Sequence, residues 1–148
     1  MNKHMAGLEA SPVARRIAWG LAAVAVLANI AGYALGLYTR FGWFDRVLHP
    51  ATILALTYWL AVFVLRRVLT GAGQHRLLLA FVIACVGVAI GAWWEVAEWG
   101  YDQLVPGNVI NGKHDTIMDL VTDTAGALGA ALMSLRILRP AREGQSAA

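Results

Sequence analysis

The sequence predicts an all-α integral membrane protein, a bundle of four hydrophobic helices. Of the 148 residues, 59% are hydrophobic and only 14% are charged, whereas a soluble domain carries about 25% charged residues. Four apolar segments of roughly 20 residues each follow one another, and each can cross the ~30 Å hydrocarbon core as a helix. The chain length suits one transmembrane domain over residues 1–148.

The first apolar segment follows Arg15 and Arg16, as a signal peptide would. Its apolar run is longer than the roughly 7–15 residues of a signal peptide core, so we expect a retained helix. The second and fourth segments begin with polar residues, which we expect at the membrane surface. The predicted spans are about 17–38, 44–65, 77–99 and 117–138.

The basic residues predict how the bundle is oriented. Nine of the twelve lie at one end of the spans and three at the other. Because basic flanking residues stay in the cytoplasm, both termini are predicted to be cytoplasmic. The basic residues flank spans and form no nucleic-acid patch, so we expect no nucleic-acid partner. The nine are Lys3, Arg15, Arg16, Arg66, Arg67, Arg76, Arg136, Arg139 and Arg142; the three are Arg40, Arg46 and Lys113.

Seven of the nine acidic residues fall at the opposite, outer end of the spans. Within each helix they lie three or four residues apart, which places them on one face. His49 shares such a face with Asp45. Three helices therefore bring carboxylates or imidazole to the same membrane depth. The seven are Asp45, Glu95, Glu98, Asp102, Asp115, Asp119 and Asp123.

Small residues continue two of these polar faces toward the inner side. Gly87 and Gly91 lie on the face that leads to Glu95, and Gly126 and Ala130 continue the acidic face of the last span. Small residues let membrane helices approach closely. We therefore expect the carboxylate faces to be buried between helices.

The crowded carboxylates are candidates to bind a divalent metal that bridges the helices. A charge within the membrane costs about 2.5–3.5 kcal/mol, and oxygen donors with imidazole suit Mg²⁺, Mn²⁺, Fe or Zn²⁺. A bound ion would offset the charge and activate water, leaving Glu98 or Asp119 as general base. The candidate ligands are Asp45, His49, Glu95, Glu98, Asp119 and Asp123.

Two other interpretations of the acidic cluster stay open. It could form a cation or proton path, although no acid lies in the inner half of any predicted span. It could also be structural, with Asp45 and Asp115 capping helices and other acids bonded to nearby polar groups. Asp102 is expected to be a solvated loop residue. The polar groups in question are Arg46, Tyr101, Thr116, Thr122 and Thr124.

Three polar segments follow the pattern of a known family. DRVLH at residues 45–49, EVAEW at 95–99 and DLVTDTAG at 119–126 resemble the VanZ-like superfamily, most closely its YjdF-type branch of bacterial inner-membrane proteins. The likeness covers about residues 41–132. It implies a shared polar site and a multi-pass inner-membrane location, but no settled reaction. Glu98 and Asp123 stand where VanZ-like proteins commonly have Gln and Asn, so this site carries more charge.

We therefore predict an inner-membrane protein with a carboxylate–histidine site at the extracytoplasmic membrane face. Its partner is the lipid bilayer, and its site would use a divalent metal to hydrolyse or bind a lipid-linked or cell-envelope substrate. The alternative is a non-enzymatic protein, a cation or proton transporter or a partner scaffold, whose acidic cluster is structural.

The orientation can be tested with reporter fusions. We expect a reporter fused after Ala148 to be active in the cytoplasm, and reporters inserted in the 39–43 or 100–116 loops to be active outside, because nine of twelve basic residues mark the inner side. A reporter after Ala148 that is active only outside the cytoplasm would contradict this topology.

Overall fold

The computed structural model describes residues 8–69, 75–106 and 109–140, with backbone only at 139 and 140. Lys3 and Arg142 of the basic set, and Gly107 and Asn108 of the predicted 100–116 loop, lie outside this part. A π-helical turn over Ala61–Leu65 joins α3 to α4. The elements are β1 (Leu8–Glu9), α1 (Pro12–Ala34), α2 (Leu37–Arg40), α3 (Phe44–Leu60), α4 (Arg66–Val68), α5 (Arg76–Leu104), α6 (Lys113–Ile137) and β2 (Arg139–Pro140).

Four helices are long and apolar enough to cross a membrane, which confirms the predicted fold class. They cover Pro12–Ala34, Phe44–Val68, Arg76–Leu104 and Lys113–Ile137. The last two extend beyond their predicted spans into the outer segment. The predicted loop over residues 100–116 is therefore shorter, because α5 ends at Leu104 and α6 begins at Lys113.

The first helix begins and ends earlier than predicted. Ser11 caps it by accepting a hydrogen bond from the Ala14 amide at 3.1 Å, and Pro12 fits the first turn because its missing N–H is not needed there. The predicted end at Tyr38 is wrong, since α1 ends at Ala34 and Gly36 has a φ of +63°. This left-handed residue reverses the chain, which glycine tolerates without strain.

The direction of the helices follows from the residues that meet across them. On α3 and α6 the residue numbers rise together, from His49 beside Asp123 to Leu54 beside Gly129, so these helices run parallel. On α5 they fall, because Gly91 lies beside the same Asp123 and Gly87 lies deeper. These three helices enclose the polar face, and α1 packs mainly against α3.

Glycines permit the closest contacts between these three helices. A Cβ on Gly126 would collide with the backbone carbonyl of Pro50 in α3. A Cβ on Gly91 would lie 2.7 Å from the carboxylate of Asp123, and one on Gly87 would lie 2.5 Å from the Cβ of Ala127. The predicted small-residue contacts are thus confirmed, and the carboxylate faces are buried between helices.

The half of the bundle away from the carboxylates is an apolar core, and a pair of short strands covers its end. Tyr58, Val62 and Ile83 are fully buried there. The two-residue strands β1 and β2 pair antiparallel, with Leu8 opposite Pro140 and Glu9 opposite Arg139. Segments from near both ends of the chain therefore meet at the inner end of the helices.

Asp102 is not the solvated loop residue that the sequence predicts. It lies in the last turn of α5, where its carboxylate accepts hydrogen bonds from the amides of Val109 at 2.8 Å and Ile110 at 3.0 Å. Across the same loop, Asp115 accepts from the Asn111 amide at 3.0 Å. These two acids tie the outer loop to the ends of α5 and α6.

The contact at Gly126 predicts a large effect from one methyl group. We expect Gly126→Ala to lower the free energy of unfolding by about 1–3 kcal/mol, because the added Cβ must displace the α3 backbone. Gly20→Ala is the matched control, since a Cβ on Gly20 meets nothing within 4 Å. Melting of both variants in detergent is the measurement, and equal melting temperatures would show that α3 and α6 do not touch there.

The hydrogen bonds of Asp102 predict a local effect on the outer loop. Asp102→Ala removes two charge-assisted bonds, so we expect a loss of about 1–3 kcal/mol and faster amide hydrogen exchange at Val109 and Ile110. Asp115→Ala removes a single exposed bond and should cost less. Unchanged exchange at both amides in Asp102→Ala would contradict this assignment.

Candidate functional site

One imidazole lies among four carboxylates that come from three helices. The Nδ1 atom of His49 is 3.3 Å from Asp123 Oδ1 on α6 and 3.8 Å from Glu95 Oε1 on α5. Its Nε2 atom is 3.5 Å from Asp45 Oδ1 on α3 and 3.9 Å from Glu98 Oε1 on α5. The structure therefore brings together residues that are up to 78 positions apart in sequence, with a different carboxylate pair beside each ring nitrogen.

The innermost members of this cluster are almost completely buried. His49 and Glu95 are 6% exposed, Asp119 is 2% exposed and Asp123 is 1% exposed. Each has an atom without a hydrogen-bond partner in the described part of the chain: His49 Nε2, Glu95 Oε1, Asp119 Oδ1 and Asp123 Oδ1. Buried polar atoms in folded proteins normally have a protein, water or ion partner. The cluster therefore contains four buried polar atoms that lack a hydrogen-bond partner among the described residues.

Asp45 and Glu98 form the more open side of the site. Their side chains are 27% and 17% exposed, against 1–6% for the acids on the Nδ1 side. Both acids lie in membrane-spanning helices, near the ends that meet the outer loops. The site is therefore deeply buried toward α6 and partly open beside Nε2.

Trp94 is a site residue that the sequence interpretation missed. Its indole Nε1 donates to Glu98 Oε1 at 2.9 Å, and its ring meets the His49 ring edge-on at a centroid distance of 6.5 Å. A tryptophan near the end of a membrane span is typical of an anchor at the membrane surface, so its position in the sequence does not indicate a site residue. Trp93 and Trp99 do fit that role, with exposures of 71% and 58%.

A small cavity lies beside His49. It has a volume of about 10 Å³, close to the smallest space that holds one water molecule. Asp45, His49 and Glu98 form one side of it, so the Nε2 side of the imidazole is also the cavity side. The full lining is Asn29, Tyr38, Asp45, Leu48, His49, Thr52, Ile53, Trp94 and Glu98.

A hydrogen-bond network of side chains from α1, α2 and α3 forms another wall of this cavity. The Asn29 amide donates to the Ala25 carbonyl at 2.9 Å and to Thr52 Oγ1 at 3.0 Å, and the Tyr38 hydroxyl donates to Asn29 Oδ1 at 2.9 Å. Burial raises the pKa of Tyr38, which keeps its hydroxyl protonated as a donor. Asn29, the one amide side chain in the first predicted span, was the available sequence signal for this wall.

Several other polar residues near the outer end take no part in the cluster. His114 is exposed, and Asp102 and Asp115 bind loop amides. Thr122 and Thr124 donate to backbone carbonyls of their own helix. Arg46 is exposed and forms no ion pair within the described ranges. The structural interpretation thus fits the loop acids better than it fits the buried ones.

Two groups of three side chains have the proximity that a metal site needs. In the groups Asp45–His49–Asp119 and His49–Glu95–Glu98, one potential ligand atom from each residue lies within 4.8 Å of the others. Asp123 completes the cluster by its contact with His49 Nδ1. In metal sites the second nitrogen of a histidine ligand commonly bonds to a carboxylate, which is the relation of Asp123 to His49.

Together, the fold and the cluster define a multi-helix membrane protein with a buried carboxylate–histidine site. Over residues 9–140 the chain matches the family described as predicted membrane protein, DUF2238, and it belongs to that family. A protein of Thermotoga maritima, named only as an uncharacterized protein, is 29% identical over 107 residues. That match covers 68% of this chain and 52% of the relative, so the chain spans about half of the relative's length. No solved structure matches the chain.

Proposed function

We propose that this protein is a metal-dependent protein of the bacterial inner membrane, related to the VanZ-like superfamily. Its site would bind a divalent cation and hydrolyse or bind a lipid-linked or cell-envelope substrate at the outer face. The observation that carries the proposal is the unpartnered Nε2 atom of His49, which lies beside a one-water cavity and between Asp45 and Glu98.

The two nitrogens of His49 suit different tasks. Asp123 is within reach of an Nδ1–H donor at 3.4 Å, which would leave the lone pair of Nε2 free toward the cavity. The carboxylate of Asp123 would thus select the tautomer that a metal requires. Asp45 and Glu98 supply the nearest oxygen donors, and Glu95 and Asp119 would complete the candidate ligand set.

The charge of the site favours a cation. Five carboxylates around one histidine carry up to five negative charges, and burial makes their mutual repulsion stronger than in water. Arg46 forms no ion pair with them in the described residues. A divalent ion would offset part of this charge and would supply a Lewis acid able to activate water.

The protein's own groups suit the movement of a proton in such a reaction. Glu98 faces the cavity and accepts from the Trp94 indole, which holds its carboxylate in one orientation. Asp119 is buried with a free oxygen. Glu98 would accept a proton from a water molecule in the cavity as general base, and Asp119 is the second candidate for that role. The Asn29–Tyr38–Thr52 wall would orient a polar group of the substrate.

Removal of the central histidine tests the metal site. We expect His49→Ala to lose bound metal and, at a free metal concentration about 100-fold above Kd, about 2.7 kcal/mol of stability. His114→Ala is the matched control, because His114 is an exposed histidine at the same end of the bundle. Elemental analysis and melting curves, each with and without chelator, are the measurements.

A second comparison separates metal binding from a structural role. Under the metal hypothesis, Glu95→Gln also loses metal, chelator reproduces its effect, and the double variant with His49→Ala is barely less stable than either single variant. A structural cluster instead gains stability when one crowded carboxylate is neutralised. Wild-type protein without stoichiometric metal after reloading, and without a chelator response, would refute the metal hypothesis.

Transport of a cation or proton is the second candidate function. It is favoured by Thr57, Tyr58 and Ser134, which are fully buried along the bundle and whose hydroxyls have no partner in the described part of the chain. Uptake of the bound cation into sealed vesicles, abolished by His49→Ala, would support transport. Metal binding without uptake would support the site-centred function.

A further inference from the structure

A shallow apolar groove runs along one side of α5 toward the carboxylate–histidine site. It is open on one side, and every lining residue is apolar and belongs to α5. From Val86 to Ala97 it extends about 16 Å along the helix axis at 1.5 Å per residue. No other described helix lines it, so in a membrane its open side faces lipid. The lining is Val86, Ala89, Ile90, Trp93, Trp94 and Ala97.

Trp94 connects this groove to the carboxylate–histidine site. It lines both the groove and the small cavity beside His49, and its indole N–H is bonded to Glu98. One face of α5 is therefore apolar as far as Trp94, and Trp94 holds the carboxylate of Glu98 beside the cavity. A lipid whose chain lies in the groove would have its headgroup next to Glu98 and Asp45.

We propose that the groove and the open side of the site together bind a phospholipid with an ammonium headgroup, such as phosphatidylethanolamine. The chain would lie along α5, and the ammonium group would lie near Glu98 and Asp45. This inference rests on the proposed function and names the class of its lipid substrate or ligand.

Charge complementarity selects the ammonium group. Glu98 and Asp45 are the two partly exposed acids of the site, and the cluster has five carboxylates in all. With all five carboxylates ionised, the cluster stays negative beside one divalent ion, so an anionic lipid would be repelled. Trp94 adds an aromatic surface beside these acids, and such surfaces attract cations.

The test is lipid retention. Wild-type protein is reconstituted in vesicles of equal parts phosphatidylethanolamine and phosphatidylglycerol, extracted in mild detergent, and its bound lipid is measured by native mass spectrometry. We expect one phosphatidylethanolamine to be retained per chain. Ala89→Phe should fill the groove and lose it. Ala92→Phe is the matched control, because Ala92 is also exposed on α5 but does not line the groove.

The headgroup contact has its own variant. Glu98→Gln should lower the preference for phosphatidylethanolamine over phosphatidylglycerol about fivefold, the effect of one partly exposed charge pair. Equal retention of the two lipids by wild-type protein would overturn the proposal. So would equal loss from Ala89→Phe and Ala92→Phe, or a wild-type dimer that only Ala89→Phe dissociates, since a second copy would then occupy the groove.

Metal content measured on the same samples distinguishes this inference from the proposed function. Lipid lost in Ala89→Phe while metal is retained supports the groove as a separate part of the site. Selective lipid retention by a protein that binds no metal would support the lipid site while refuting the metal-dependent function.

Discussion

Where α3 and α6 pack together, the backbone of Gly126 lies against the carbonyl of Pro50, with no side chain between them. Because these two helices are close and parallel, residues next to this contact on each helix are also neighbours. His49 on α3 therefore lies beside Asp123 on α6. Gly91 does the same for α5, whose backbone lies against the Asp123 side chain. A wider bundle would separate the imidazole from three of its four neighbouring carboxylates, those on α5 and α6. Backbone contact in the membrane interior thus determines the geometry of the polar site.

Close packing also keeps water away from the buried acids. Helices that exclude water around Asp119 and Asp123 remove the solvent that would otherwise stabilise these charges. The loop acids have partners within the protein, since Asp102 and Asp115 accept hydrogen bonds from backbone amides. Acids of one sequence cluster therefore divide into two kinds. Those in the outer loop stabilise the helix ends, and those between the helices keep unpartnered oxygens.

The sequence predicted most of the fold and the centre of the site, because both depend on local periodicity. Glu95, Asp119 and Asp123 face inward since each shares a helix face with small residues. What it missed depends on contacts between distant segments. Asp102 stays helical because loop amides bind it, and Tyr38 reaches Asn29 only because Gly36 reverses the chain. Trp94 was missed for a different reason: a tryptophan near a helix end is equally typical of a membrane anchor.

The pairing of β1 with β2 has a consequence for how the molecule holds together. It joins the segment before α1 to the segment after α6, so the first and last described segments of the chain lie side by side. The first helix, which packs mainly on α3, is thereby fastened at its inner end as well as through Asn29 near its outer end. Since Asn29 forms part of the wall of the cavity, the helix that carries this wall is held near both of its own ends. A pair of two-residue strands at one end of the bundle thus helps to hold a side chain that lines the cavity near the other end.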